Sequence, residues 1–358
     1  MSPAAAFNSA TDQDVLDRYP PLRERLANVV NTPLVALPGG PGEATIWAKC
    51  EFMNRAGGTV KDRTAFAMLH QLLKERVSSS RALHVLEYTG GGLGVSLARL
   101  CAALDIRLTL VLSASSPETL LHELRELGTE VVVSPSEQGF WGVMEAARRL
   151  AAANPECSFL NQHHNQANLR MHRITTGVEI AAQLPSGASD GPCAWIASIG
   201  TGGTLMGVQA ALRAHLPHLQ VFATSPRELP YASALAPNGN PKFLGSGGLG
   251  CGRKQPFVEA DEHRLSGHYQ IGYPRALLAM RELHQSTGYR VGSSGAANWL
   301  AARELARRLG PTGNVVTILP SAATPNEWSK AESLTRADGA PLTFDPGHCT
   351  DLLLSSTP

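Results

Sequence analysis

The chain has 358 residues, of which 43% are hydrophobic and 17% charged, and its formal net charge is +1 at pH 7. This length suits two packed α/β domains or one large one, and the composition excludes global disorder. There is no basic run, and no stretch approaches the roughly 18 apolar residues of a membrane helix, so nucleic acid and membranes are poor partners and a soluble globular protein is expected.

Residues 1–14 are small and polar and read as frayed, without the basic region and apolar run of a signal peptide. Pro21 to Asn31 reads as a short helix and Thr45 to Glu51 as a strand, followed by the loop Asn54-Arg55-Ala56-Gly57-Gly58-Thr59. After Lys61, the residues Ala65, Met68, Leu69, Leu72 and Leu73 share one helical face. An alternation of short apolar strands and amphipathic helices follows. Strands are expected at 82–87, 108–112, 131–133, 194–199, 221–224 and 315–319. Helices are expected at 94–104, 117–127, 141–153, from the 200–204 turn to His215, 275–287 and 296–309. This alternation predicts mainly parallel sheets covered on both faces. Residues 226–254, rich in Gly, Pro and Asn, read as a long irregular connection that carries function, and the segment after Lys330 as a tail. Six scattered cysteines (Cys50, Cys101, Cys157, Cys193, Cys251 and Cys349) without a C-x-x-C pair predict buried thiols in a reducing, cytoplasmic compartment and no metal site.

Four places could carry chemistry. Gly200-Thr201-Gly202-Gly203-Thr204 follows an apolar strand and opens a helix, a setting in which backbone amides and hydroxyls cradle a phosphate; alone it could equally be structural. Gly90-Gly91-Gly92-Leu93-Gly94 permits close backbone approach to a ligand, or is simply a tight turn. Lys61 lies at a helix start, where the dipole disfavours a cation and lowers its pKa, although most lysines are solvated surface residues. Ser293-Ser294-Gly295 opens a helix and reads on its own as an ordinary N-cap. His163 and His164 are adjacent, so their side chains diverge and do not form a metal pair.

Taken together and in order, these segments resemble the cysteine synthase and cystathionine β-synthase family, pyridoxal-phosphate (PLP) enzymes with the tryptophan-synthase β-like fold. The resemblance is carried by Asn31-Thr32-Pro33-Leu34-Val35, by Lys49-Cys50-Glu51-Phe52-Met53-Asn54 through Gly57-Gly58-Thr59-Val60-Lys61-Asp62-Arg63, and by Gly200–Thr204. It continues in Asn161-Gln162 to Asn168, Thr175-Thr176-Gly177-Val178-Glu179-Ile180 and Gly292-Ser293-Ser294-Gly295-Ala296-Ala297, and spans about residues 20–330. It implies an α/β fold of two three-layer αβα domains with mainly parallel sheets. Residues 1–50 are expected to pack with a large phosphate-binding domain at 156–330, with a smaller substrate-loop domain at 51–155 and a tail at 331–358.

The resemblance also assigns roles. Lys61 is the Schiff-base lysine and general base; Gly200, Thr201, Gly202, Gly203 and Thr204 hold the PLP phosphate. Ser293 faces the pyridine nitrogen, and as a neutral partner it leaves that nitrogen incompletely protonated. Thr89, Gly90, Gly91, Leu93, Gln162 and His163 fall at the substrate, with Gly92 at the cofactor. Here the chain departs from its relatives: Gly90, Gly92 and Leu93 stand where the family has Ser, Asn and Thr, and His163 where Phe is usual. The implied activity is β-replacement on an activated serine or cysteine-like amino acid through an aminoacrylate, with a small nucleophile, in a cytoplasmic homodimer. β-Elimination, chemistry on a larger amino acid, or a non-catalytic relative are the alternatives.

Overall fold

The computed structural model describes residues 6–76, 82–188, 190–233 and 249–334. Helices α1 (Ala10–Arg18) and α2 (Pro20–Val29) open the chain, followed by strands β1 (Leu34–Leu37) and β2 (Thr45–Cys50). A 3-10 turn at Glu51–Met53 leads to α3 (Lys61–Glu75). An alternating run follows: β3 (His84–Tyr88), α4 (Gly92–Ala103), β4 (Arg107–Ser113), α5 (Glu118–Glu126), β5 (Glu130–Ser134), α6 (Gly139–Ala153) and β6 (Ser158–Phe159). Helices α7 (Gln166–Met171) and α8 (Gly177–Gln183) are joined by a π-helical turn at His172–Thr176. The chain continues through β7 (Cys193–Ser198), α9 (Gly203–Leu212), β8 (Gln220–Pro226), α10 (Pro256–Glu259), β9 (Gly267–Ile271), α11 (Tyr273–Thr287), α12 (Ser293–Leu309), β10 (Asn314–Leu319) and α13 (Pro325–Ser333).

The strands form two sheets, in the orders β1-β2-β10-β7-β8-β9 and β5-β4-β3-β6. Every pairing is parallel except β1 with β2. Both faces of each sheet are covered, as the continuous apolar strands predict. In β7, Ala194 and Ile196 pack with α11 and α12, while Trp195 and Ala197 pack with α9. In β4, Leu108, Leu110 and Leu112 join the cluster with α3 and α4, and Val111 faces α6. The expected α/β architecture of mainly parallel, three-layer sheets is therefore the observed one.

Local details differ from the sequence reading. Residues 10–18 form a helix rather than a frayed end: Ser9 caps it by accepting from Asp12 N–H, and Val15 and Leu16 are buried. The N-terminal segment divides, with α1 and α2 packing on α3 beside the four-stranded sheet while β1 and β2 enter the six-stranded one. Strand β6 adds residues 158–159 to the smaller sheet. Helix α4 starts at Gly92, two residues earlier than expected, and β9, α7 and α8 are elements the pattern did not announce. Of the long 226–254 connection, residues 234–248 lie outside the described residues, as does the tail beyond 334. Among the described cysteines, Cys50, Cys101, Cys193 and Cys251 are buried free thiols and Cys157 is a partly buried one.

One buried network joins the start of α3 to both neighbouring elements. Arg63, wholly buried, donates to Glu51 at 2.8 and 2.9 Å, to Glu179 at 2.7 and 2.8 Å, to Thr175 and to Thr32. Lys49 closes the set, 2.7 Å from Glu179 and donating to the Thr32 carbonyl and Gln183. Two cations thus face two carboxylates with their hydrogen-bonding capacity filled, the condition under which a buried ion cluster is tolerated. Burial alone would raise the pKa of Glu179, but Arg63 and Lys49 hold it down at about 2. Its folded pKa lies below the unfolded one, so the stabilisation is complete above about pH 4.5 and is lost as pH falls towards 2. Arg63→Leu is expected to lower the unfolding free energy by about 3–5 kcal/mol at pH 7, because two buried carboxylates lose their main partner. Urea denaturation should show that loss shrinking towards pH 3, where the orphaned carboxylates of the variant take up protons.

Candidate functional site

The loops leaving the carboxyl ends of β2, β3, β7 and β10 meet around a cavity of about 320 Å³. This is where parallel α/β sheets place their ligands. Five helices begin at or beside its wall: α3 at Lys61, α4 at Gly92, α9 just past Thr201, α12 one residue before Ser294 and α13 between Thr324 and Glu327. Helix starts expose unpaired N–H groups and partial positive charge, so the cavity favours anionic groups.

Asn54 shapes the loop before α3. Its Oδ1 accepts from the N–H groups of Ala56, Gly57 and Gly58, and its Nδ2 donates to the carbonyls of Glu51 and Thr59. Val60 N–H donates to the Pro320 carbonyl at 2.7 Å, pinning the loop to the end of β10. Lys61 follows with its side chain on the cavity. Among the described residues its Nζ has no hydrogen-bond or ion-pair partner. Burial lowers its pKa to about 8. Desolvation, rather than the helix dipole invoked from the sequence, is thus the cause.

A recess of about 30 Å³ separates Lys61 from the turn Gly200–Thr204. Gly202 has φ +85°, and a Cβ there would lie 2.5 Å from Val258, so glycine is required. Thr201 Oγ1 accepts from Gly203 N–H and from Asn168 Nδ2, and Thr204 Oγ1 contacts His172 Nε2 at 3.2 Å. Asn168 ties the site together: it also accepts from Thr64 of α3 and donates to the Gln162 carbonyl. The sequence reading quoted Asn168 as part of a motif without giving it this bridging task.

The turn after β3 holds itself closed. Thr89 Oγ1 accepts from the N–H groups of Gly91 and Gly94, at 3.0 and 3.1 Å. Its hydroxyl is therefore engaged within the turn, and Leu93 is buried in the core beneath. Gly90, Gly91 and Gly92 present backbone to the cavity. A Cβ at Gly92 would find only ordinary contacts, 3.6 Å to Thr59 and 3.8 Å to Lys61. Gln162 lines the cavity but donates its Nε2 to the Tyr88 carbonyl. His163 lies on the wall, buried and stacked on Tyr88 with ring centroids 5.4 Å apart, while His164 is exposed. Its Nδ1 meets the Tyr88 hydroxyl at 2.7 Å, and burial depresses its pKa to about 3, so the imidazole is neutral. Beneath the turn, burial pushes the carboxyl of Glu87 up to about 8 although Tyr88 and Gln162 N–H groups donate to it.

Ser293 opens α12 behind the cavity wall. It is wholly buried, and its Oγ donates to Glu327 Oε1 at 2.6 Å. Ser294, Ser321, Thr324 and Glu327 are the polar residues of this region on the cavity wall. The carboxyl group of Glu327, its pKa pushed up by burial, stands beside Ser293. The sequence reading missed Glu327, whose only mark is the helix-start pattern Thr324-Pro325-Asn326-Glu327.

Residues 26–321 match the family model described as pyridoxal-phosphate dependent enzyme. A cysteine synthase of Aquifex aeolicus (strain VF5) is 32% identical over 320 residues, covering 84% of this chain and 90% of that protein. A cysteine synthase of Staphylococcus aureus (strain Mu50 / ATCC 700699) is 31% identical over 285 residues, covering 78% and 86%. The crystal structure of an O-acetylserine dependent cystathionine β-synthase from Helicobacter pylori superposes with a TM-score of 0.72 at 25% identity, covering 83% of this chain and 94% of that one.

The depressed pKa of Lys61 gives a direct expectation. In protein freed of small molecules, labelling of Lys61 by an amine-selective reagent should rise through about pH 8, whereas exposed lysines should follow the ordinary value of about 10.4. Peptide mass spectrometry across a pH series resolves the two.

Proposed function

The chain belongs to the pyridoxal-phosphate dependent enzyme family, and on that premise we propose that it catalyses β-replacement on an activated serine or cysteine-like amino acid. The observation that carries the reading is the shared space between an unpartnered, easily neutralised lysine and a glycine turn at a helix start. These groups fit the cofactor: Lys61 would hold its aldehyde carbon, and the turn Gly200 to Thr204 its phosphate. When bound, PLP supplies the electron sink that acidifies the substrate Cα–H and labilises a substituent on Cβ.

The residues of this chain do the rest. Lys61, once released, takes the Cα proton as general base; near pH 8 about half of such amines are neutral. The substrate carboxylate meets the backbone amides of Gly90 and Gly92 at the start of α4, since the Gly91 N–H and the Thr89 hydroxyl are engaged with each other and Leu93 is apolar. Gln162 and neutral His163 form the adjoining wall. The missing side chains at Gly90 and Gly92 leave room for a donor or nucleophile larger than sulfide, and this same openness favours β-elimination as the second reading. A cytoplasmic homodimer belongs to the proposal as well.

Incubation of the PLP-loaded enzyme with O-acetylserine, O-phosphoserine or cysteine, with and without added nucleophiles, should yield β-substituted amino acids detectable by mass. Pyruvate without a nucleophile would move the assignment to elimination, and no product from any donor would sink both. Lys61→Ala should cost at least about 10²–10⁴-fold in turnover, the usual worth of a general base.

Gly202→Ala tests the phosphate turn separately. A side chain at φ +85°, 2.5 Å from Val258, carries about 1–3 kcal/mol of strain. Fluorescence titration with PLP should show affinity weakened by roughly tenfold or more if the loop shifts to relieve it.

A further inference from the structure

The cavity wall holds one polar ring that neither the fold nor the proposed reaction uses. His163 is only 4% exposed and lines the cavity together with Lys61 and the Gly90–Gly92 turn. Its Nδ1 is taken, 2.7 Å from the Tyr88 hydroxyl. Its Nε2 has no hydrogen bond among the described residues, and it is not shut off from solvent. One nitrogen is thus turned to Tyr88 and the other is open at the cavity. Packing alone does not call for this. Phe140, its ring centroid 6.1 Å from that of His163, fills the same wall without any nitrogen.

What the open nitrogen offers follows from a count of protons. Burial depresses the pKa of His163 to about 3, so near neutral pH the ring carries a single N–H. The Tyr88 hydroxyl also has one proton and two bonded neighbours, Asn161 Oδ1 at 3.2 Å and His163 Nδ1 at 2.7 Å. An amide oxygen can only accept, so the hydroxyl proton goes to Asn161. The imidazole proton then sits on Nδ1 and is donated to Tyr88. Nε2 is left bare, as an acceptor.

We propose that His163 selects the nucleophile: its Nε2 accepts a hydrogen bond from a neutral attacking compound that carries an N–H or O–H, and holds that compound against Cβ. The inference rests on the reading that this cavity carries out β-replacement. The ester group of an activated serine has acceptors only, so a bare nitrogen serves the incoming group and not the outgoing one. Anionic nucleophiles without hydrogen gain nothing from it. His163 orients and does not take the proton, because so weakly basic a ring would not hold it. The lone pair of the attacking atom forms the bond to Cβ, the bond from Cβ to the leaving group having already broken, and the N–H or O–H proton is then lost to water.

The test sets two nitrogen nucleophiles against each other: pyrazole, a neutral N–H compound, and azide, an anion with no hydrogen. PLP-loaded full-length protein receives both, with O-acetylserine or O-phosphoserine as donor, and the two β-substituted alanines are quantified by mass. In His163→Phe the ratio of pyrazole to azide product should fall roughly fivefold from the wild-type value, the worth of about one hydrogen bond. Tyr88→Phe keeps the imidazole and removes the oxygen that receives its Nδ1 proton. It should lower the ratio as well, and it decides the matter if His163→Phe does not fold. Histidine-ring ¹⁵N NMR of the wild-type protein should show His163 with a proton on Nδ1 and none on Nε2. A proton on Nε2, or a ratio unchanged in either folded variant, would overturn the inference and leave β-replacement standing. Wild type that forms neither product would overturn the β-replacement reading, and the inference with it.

Discussion

The buried guanidinium of Arg63 is the constraint on which the site depends. A charge that far from water is tolerable only if it is fully paired, and its partners come from Glu51 at the end of β2, Glu179 in α8, and Thr32 and Thr175. Satisfying Arg63 therefore fixes the start of α3 relative to an edge strand pair and to the helices of the six-stranded sheet. Lys61 is two residues away on the same helix turn, so its position on the cavity follows from the pairing of Arg63. Lys49 balances the second carboxylate and leaves the cluster neutral overall.

Around that anchor, the polar groups divide into those that hold the scaffold and those left free. Asn54, Thr89, Thr201 and Asn168 spend their hydrogen bonds on backbone and on one another. Buried polar groups must be satisfied, and these satisfy themselves by closing loops. What remains turned to the cavity is the Lys61 amine, the glycine backbones of two turns, and the helix starts. The histidines on and behind the wall, His163 and His172, are kept neutral by burial, so the cavity gains no positive charge from them. The Glu327 carboxyl, its pKa pushed up by burial, lies on the wall of the same cavity that Lys61 and the Gly200–Thr201 turn line.

Much of this was legible in the chain. The alternation of short apolar strands and amphipathic helices required parallel sheets with both faces covered, because only such strands are apolar on both sides. The Gly200–Thr204 turn was legible because its requirement is local: one left-handed glycine, close approach and a helix start. Helix α1 was missed because its apolar content is small, although Ser9 and Asp12 marked its cap; its stability comes from Val15 and Leu16 packing in the cluster with Phe66. Strand β9 was missed because Gly267-His268-Tyr269-Gln270-Ile271 has little apolar pattern of its own, and its pairing with β8 secures it.

The sequence by itself determined the fold class and singled out Lys61 and the Gly200–Thr204 turn as candidates, since each depends on residues close together in the chain. Only the tertiary structure decided which side chains were free to act. It closed Thr89 onto its own turn, attributed the weakened basicity of Lys61 to burial, and brought Glu327 to Ser293 across 34 residues. Hydrogen-bond capacity and desolvation are properties of the assembled neighbourhood, and no local pattern in the chain encodes them.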